Sequence, residues 1–228
     1  MKKAPDARPV LFVLAGVNGA GKSSIGGHLL TRQGLTWFNP DRYARDLVAA
    51  GLATPDDASG LAWSEGLRRL DDALAQGRHH AFETTLGGTT IAQRLLDATR
   101  THDVLMWFCG LDRPERHLAR VAARVRAGGH DIPEDRIRQR YPRALANLIA
   151  LMPHLAHLQV YDNSAEAAPG EPIPDPRLLL ELRRGQLTHP QPDDAQALRA
   201  TPAWAKPLME AALQTAPTTA SSTRVRTD

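Results

Sequence analysis

The chain has 228 residues, 42% of them hydrophobic and 23% charged, which suits an ordinary α/β core and excludes wholesale disorder. Lys and Arg outnumber Asp and Glu by 28 to 25, and a balance of +3 is too weak to argue for nucleic acid on its own. The single cysteine, Cys109, rules out an intramolecular disulfide and a cysteine cluster for zinc, and no apolar run approaches a membrane span.

MKKAPDARP is basic, but the apolar run after it is too short for a secretory signal, so the sequence predicts a cytoplasmic protein without a membrane partner. Val10 to Ala15 (VLFVLA) reads as a strand buried on both faces, with a helix from Lys22 to about Thr31. Leu35 to Phe38 reads as a second short strand, closed by Asn39-Pro40-Asp41. Trp63, Leu67, Leu70 and Leu74 recur at helical spacing and predict one apolar helix face. His79 to Glu83 and Val104 to Cys109 are further strands, with a helix around Thr90 to Arg100 between them. Helices are predicted from Pro114 to Ala127 and from Glu134 to His154, with Pro142 starting or kinking part of the second. His157 to Tyr161 is a strand, Leu178 to Leu182 an edge strand after a proline-rich loop, and 202 to 213 a closing helix. Alternating strands and helices predict a mostly parallel sheet with helices on both faces. One domain over 1–214 is expected, with a disordered tail from 215 to 228.

Gly16, Val17, Asn18, Gly19, Ala20, Gly21, Lys22 and Ser23 fit G-x-x-x-x-G-K-[ST], and Ser24 continues the same nucleotide-binding stretch. Such a loop aims backbone amides at a polyphosphate, with helix potential behind them. Lys22 supplies charge to the β- and γ-phosphates and Ser23 a hydroxyl to Mg²⁺, so ATP or GTP binding is predicted. No Asn-Lys pair is available to read guanine, and Asp57-Ala58-Ser59-Gly60 precedes a helix rather than following a strand. The strand ending at Phe108 runs into Cys109-Gly110 instead of the acid of a motor ATPase. A compact kinase fits best.

Asp41 falls near the carboxyl edge of the predicted sheet, where it can accept a proton from a substrate hydroxyl or merely cap a helix. Glu83, Thr84 and Thr85 offer a carboxylate and two hydroxyls for a polyol or a metal-bound water, or simple turn chemistry. From Arg113 to Arg143 nine arginines face four acids, a local balance of +5 that leaves the rest of the chain at −2. Two basic helices joined by Gly128-Gly129-His130 have the composition of a lid that closes over polyphosphate. His79-His80 alternate across a strand, and Cys109 reads as a packing residue, so neither is a site candidate.

In order, GVNGAGKSS, NPDRYAR, FETTL, RVRAGGHDIPEDRIRQRY and VYDNS resemble the zeta-toxin-like group of small P-loop kinases, over residues 10 to about 164. The resemblance implies an α/β P-loop fold, a kinase-like three-layer sandwich with a helical lid at about 113–143, using ATP and Mg²⁺. It implies phosphoryl transfer to a small-molecule hydroxyl, in the best-studied branch the sugar of UDP-N-acetylglucosamine, and an antitoxin as protein partner. On that pattern Asp41 activates the acceptor hydroxyl, while Lys22 and Ser23 hold phosphate and magnesium. Arg124 and Arg140 steady the transferring group, with Arg126 and Arg138 as runners-up. The short GGHDIP turn belongs to the compact members of the group, and 165–228 carry no recognised motif. A competing expectation is a nucleotide-gated regulator with vestigial chemistry and a protein or RNA partner. RNA is disfavoured, because only Tyr141 interleaves with the arginines.

Overall fold

The computed structural model describes residues 7–23, 26, 36–129, 131–166 and 174–215. Ser24, His130, most of the helix expected after Lys22 and all of the expected tail beyond Thr215 lie outside the described residues.

Strand β1 (Val10–Ala15) lies inside a six-stranded sheet, between β2 (His80–Thr84) and β3 (Asp103–Gly110). The order continues through β4 (His157–Asp162) to β5 (Arg177–Arg183) and β6 (Gln186–His189), giving β2-β1-β3-β4-β5-β6. Strands β1 to β4 are mutually parallel, as expected of β-strands alternating with helices, and β5 and β6 add antiparallel pairings at one end. The register matters for chemistry. Ala15 pairs with both Thr84 and Phe108, so β1 and β2 end level beside Gly16 while β3 runs two residues further to Gly110. Their carboxyl ends form the edge where open parallel sheets place ligands.

Four expectations need correction. The second strand is reduced, among the described residues, to a single bridge in which Phe38 N–H donates to Ala81 O at 2.8 Å and Phe38 O accepts from Glu83 N–H at 2.9 Å. Leu178–Leu182 is not an edge strand, because β6 pairs with β5 on its outer side. Helix α5 (Glu134–Leu151) does not start at Pro142, which sits inside it on an exposed face. Lastly, the periodic face of α2 (Pro55–Ala75) is only partly core: Leu70 is buried, whereas Trp63 is 41% exposed.

Helix α1 (Pro40–Ala49) begins directly after the Phe38 bridge, with Asn39 as its cap and Pro40 in its first turn. Thr54 caps α2 in the same way. Helix α3 (Thr89–Ala98) buries Ile91, Leu95 and Ala98. Helix α4 (Pro114–Arg126) buries only His117 and Val121, so most of its surface is polar and arginine-rich. Past β6 come α6 (Ala195–Arg199) and α7 (Lys206–Thr215), the latter packed on α5 and β6. The larger core cluster lies on the sheet face beneath α2, α3, α5 and α7, and a smaller one of Leu14 and Trp107, joined by Phe12, Trp37 and Tyr161, is separate from it.

Candidate active site

The glycine loop leaves β1 with Gly16 at φ +137°, where a Cβ would stand 2.2 Å from the Cys109 carbonyl oxygen. Gly21, at φ +89°, is approached as closely by the Asn163 amide, at 2.4 Å from a hypothetical Cβ. Only glycine accepts both the conformation and the crowding at these places. Two loop carbonyls, whose negative ends would repel an anion, are engaged by protein donors. His117 Nδ1 donates to Asn18 O at 2.8 Å, and Asn163 Nδ2 donates to Ala20 O at 2.9 Å. Lys22 and Ser23 follow in helical conformation, with the lysine half-buried. Beneath the loop, Cys109 is buried and its thiol is pushed up to about 12 by desolvation, which keeps it an unreactive packing group as the sequence predicts.

Glu83, at the end of β2, is 6% exposed and turned toward the loop serine. Its carboxylate accepts from Ser23 Oγ at 3.1 Å, Trp37 Nε1 at 2.8 Å and Asn39 Nδ2 at 2.9 Å. Three donors satisfy a buried carboxylate that would otherwise be costly. Thr84 and Thr85 accept instead from the backbone N–H groups of Leu86 and Gly87, the turn chemistry expected of such residues, while lining a cleft wall.

That cleft has a volume of about 340 Å³ and brings Asn18, Lys22, Asp41, Glu83 and Arg140 together. Asn39 is the residue that caps α1, through its Oδ1 and the Arg42 N–H at 2.9 Å, so the Asp41 carboxylate is left for the cleft. Asp41 accepts from Arg124 Nη1 at 3.3 Å, across a neighbouring polar space of about 270 Å³ that includes Ser23. Arg140 donates to Asn18 Oδ1 at 2.7 Å, and burial, followed by its neighbour Arg136, makes its proton easier to lose than usual. An anion would relieve that stress.

The other arginines divide by partner. Arg138 is bound to Glu134 and Glu115, both at 2.7 Å, on an exposed face away from the cleft, and Arg126 is exposed at the end of α4. Arg116 pairs with Asp112 and Glu166, and Arg120 donates to the Asn163 carbonyl at 2.8 Å. Of the two runners-up, neither lines the cleft. Sequence reasoning assigned no role to Trp37, Asn39, His117 or Asn163, placed Trp63 on the apolar face of its helix, and counted Arg136 only among the arginines of the basic lid. Asn39 and Asn163 stood inside NPDRYAR and VYDNS, and a polar residue embedded in each motif was the available signal. His117 and Trp37 carried none, since each acts on a loop from a distant element.

The model of the AAA domain family matches residues 11–144. The chain belongs to that family. A protein of Haemophilus influenzae described only as uncharacterized is 40% identical to this chain over 133 residues, covering 55% of this chain and 88% of that protein. Among solved structures, the AvrRxo1-ORF1:-ORF2 complex with ATP superposes with a TM-score of 0.55 at 16% identity, over 98% of this chain and 67% of the other. The PezAT toxin-antitoxin system of Streptococcus pneumoniae gives 0.50 at 13% identity, over 71% and 70%. These likenesses bear out the P-loop fold and the resemblance to zeta-toxin-like proteins. No helix among the described residues is long and apolar enough to cross a membrane.

Proposed function

We propose that this AAA domain protein is an ATP-dependent phosphotransferase acting on a hydroxyl of a small molecule, with a nucleotide sugar such as UDP-N-acetylglucosamine as the acceptor to test first. One observation carries the reading: Asp41 stands on the same cleft as Lys22 and Arg140, with its helix capped by another residue. A carboxylate facing the phosphate loop has no use in a simple nucleotide gate. In a kinase it receives the proton of the attacking hydroxyl.

The acceptor oxygen attacks the terminal phosphorus of ATP, the bond to the β-phosphate oxygen breaks, and ADP leaves. The hydroxyl proton passes to the Asp41 carboxylate and then to water. Lys22 and the loop amides hold the phosphates, and Arg124 and Arg140 meet the charge that develops on the transferred group. Ser23, backed by Glu83, fits Mg²⁺, which takes few protein ligands when phosphates supply the rest, and which neutralises the β- and γ-oxygens when bound. An antitoxin-type protein partner accompanies this proposal, in line with the complexes among the structural relatives.

The test is ADP formation with and without acceptor, over a panel of UDP-sugars, nucleosides and amino sugars. Asp41→Asn should lose transfer yet keep ATP binding and slow hydrolysis by water. Arg124→Ala should lose hydrolysis and transfer together, by roughly 10³-fold. Wild-type transfer by Asp41→Asn would remove Asp41 from the mechanism and make Glu83 the next base to examine.

A further inference from the structure

Two side chains on the cleft take no part in the chemistry above. Trp63 is 41% exposed, although tryptophan is ordinarily among the more covered side chains. It shares the cleft with Ser59 and Gly60, one turn back on the same face of α2. A Cβ built on Gly60 meets nothing within 4 Å, so the helix surface one turn back from Trp63 is open. Arg136 is the second. It is exposed, stands one turn before Arg140 on α5, and its guanidinium makes no hydrogen bond or ion pair among the described residues. Its sequence neighbour Glu134 is engaged by Arg138 instead.

An exposed indole on a cleft is a stacking platform, and an uncommitted guanidinium is a site for an oxyanion. Lys22, Arg136 and Arg140 balance Asp41, Asp131 and Glu83 around the cleft, and of these cations Arg140 is already engaged by Asn18 whereas Arg136 is left for an anion. The cleft's volume of about 340 Å³ lies at the low end of the usual range for small-molecule sites, about 300–1,000 Å³. One ring with one anionic group matches that size.

Resting on the kinase reading, we propose that the acceptor is a ring-bearing monophosphate, its ring stacked on Trp63 and its phosphate held by Arg136. Hexose phosphates and nucleoside monophosphates share this chemistry, and the arms of the experiment separate them.

Calorimetric titrations of the full-length protein, loaded with a non-hydrolysable ATP analogue and Mg²⁺, use two sets of probes. One set is glucose, galactose and N-acetylglucosamine 6-phosphates; the other is the four nucleoside 5′-monophosphates. Unphosphorylated forms and UDP-N-acetylglucosamine accompany both. At least one monophosphate should bind roughly ten-fold more tightly than its unphosphorylated form, with the preference lost in Arg136→Gln. Trp63→Ala should weaken that probe roughly ten-fold, Trp63→Phe should restore most of it, and Gly60→Leu should weaken it by filling the stacking space. Thermal melts confirm that each variant is folded. Absence of any phosphate preference, unchanged affinity in Trp63→Ala, or tighter binding of UDP-N-acetylglucosamine than of every monophosphate overturns the assignment. Transfer from ATP to the bound probe is measured in parallel. Binding without transfer would overturn the kinase reading and leave the subsite standing; transfer with unaltered acceptor KM in Trp63→Ala would do the reverse.

Discussion

His117 joins the basic helix α4 to the phosphate loop through one proton. Because the Asn18 carbonyl only accepts, Nδ1 must carry the hydrogen, and Nε2 is buried without a partner. Burial is the largest influence on the ring and pushes its pKa down to about 4 from 6.5. Between those values the unfolded chain takes up the proton that the folded one refuses. The stabilisation is therefore complete above pH 6.5 and is lost as pH falls toward 4, about 3 kcal/mol in all. His80 and His102 are lowered by burial in the same direction, so His117 accounts for part of the slope. Urea midpoints between pH 7 and pH 4.5 should fall steeply in the wild type and less steeply in His117→Gln, whose amide can donate to the same carbonyl without titrating. Equal slopes would remove His117 from the account. Lys22 and Ser23 were legible in the sequence because loop chemistry fixes their spacing. His117, Asn163 and Trp37 were not, because their contacts cross from remote elements and leave no local pattern.

At the scale of elements, legibility follows burial. The runs Val10–Ala15 and Val104–Cys109 stand out because a central parallel strand is covered on both faces. Strand β6 did not, since four residues with Leu187 alone buried are too short to show alternation. The two-residue turn before it was hidden as well: Arg184 and Gly185 both take positive φ, +47° and +77°, and an arginine at the first position is not the usual signal. Missing β6 made β5 look like an edge. The segment after β6 also proves structural, because Trp204 lies over Gly110 at the end of β3, where a Cβ would come within 2.2 Å of the indole. Gly110→Ala should therefore destabilise the protein by roughly 1–3 kcal/mol through overpacking. In a Trp204→Ala background the same change should cost far less. A double-mutant cycle of chemical denaturation reads the difference, and additivity of the two changes would show that the contact is not what constrains Gly110.

Across the whole molecule the charge is divided unevenly, +5 over Arg113–Arg143 against −2 elsewhere, a division plain in the sequence. What could not be read there is which arginines face the cleft. Residues at i and i+4 share a helix face, yet Arg136 and Arg140 line the cleft while Arg138, two positions from each, is bound to glutamates outside it. Local spacing fixes faces, and only packing of α5 against the loop decides which face is inward. Exposed arginines such as Arg126 and Arg143 still act at a distance, raising the potential at the cleft without touching a ligand. That contribution is screened by salt, since the Debye length shrinks from about 10 Å at 0.1 M to about 3 Å at 1 M. Contacts made by Lys22 and Arg140, both partly withdrawn from solvent, are screened less. If the loop binds ATP as proposed, affinity should fall as NaCl rises from 50 to 500 mM. In Arg126→Gln/Arg143→Gln, affinity at low salt should drop by roughly two- to five-fold and the dependence on salt should flatten, with wild type and variant converging at high salt. Titrations at several ionic strengths measure both quantities. Parallel salt curves would mean that binding feels only the arginines inside the cleft, and that the outer ones are ordinary solvated surface.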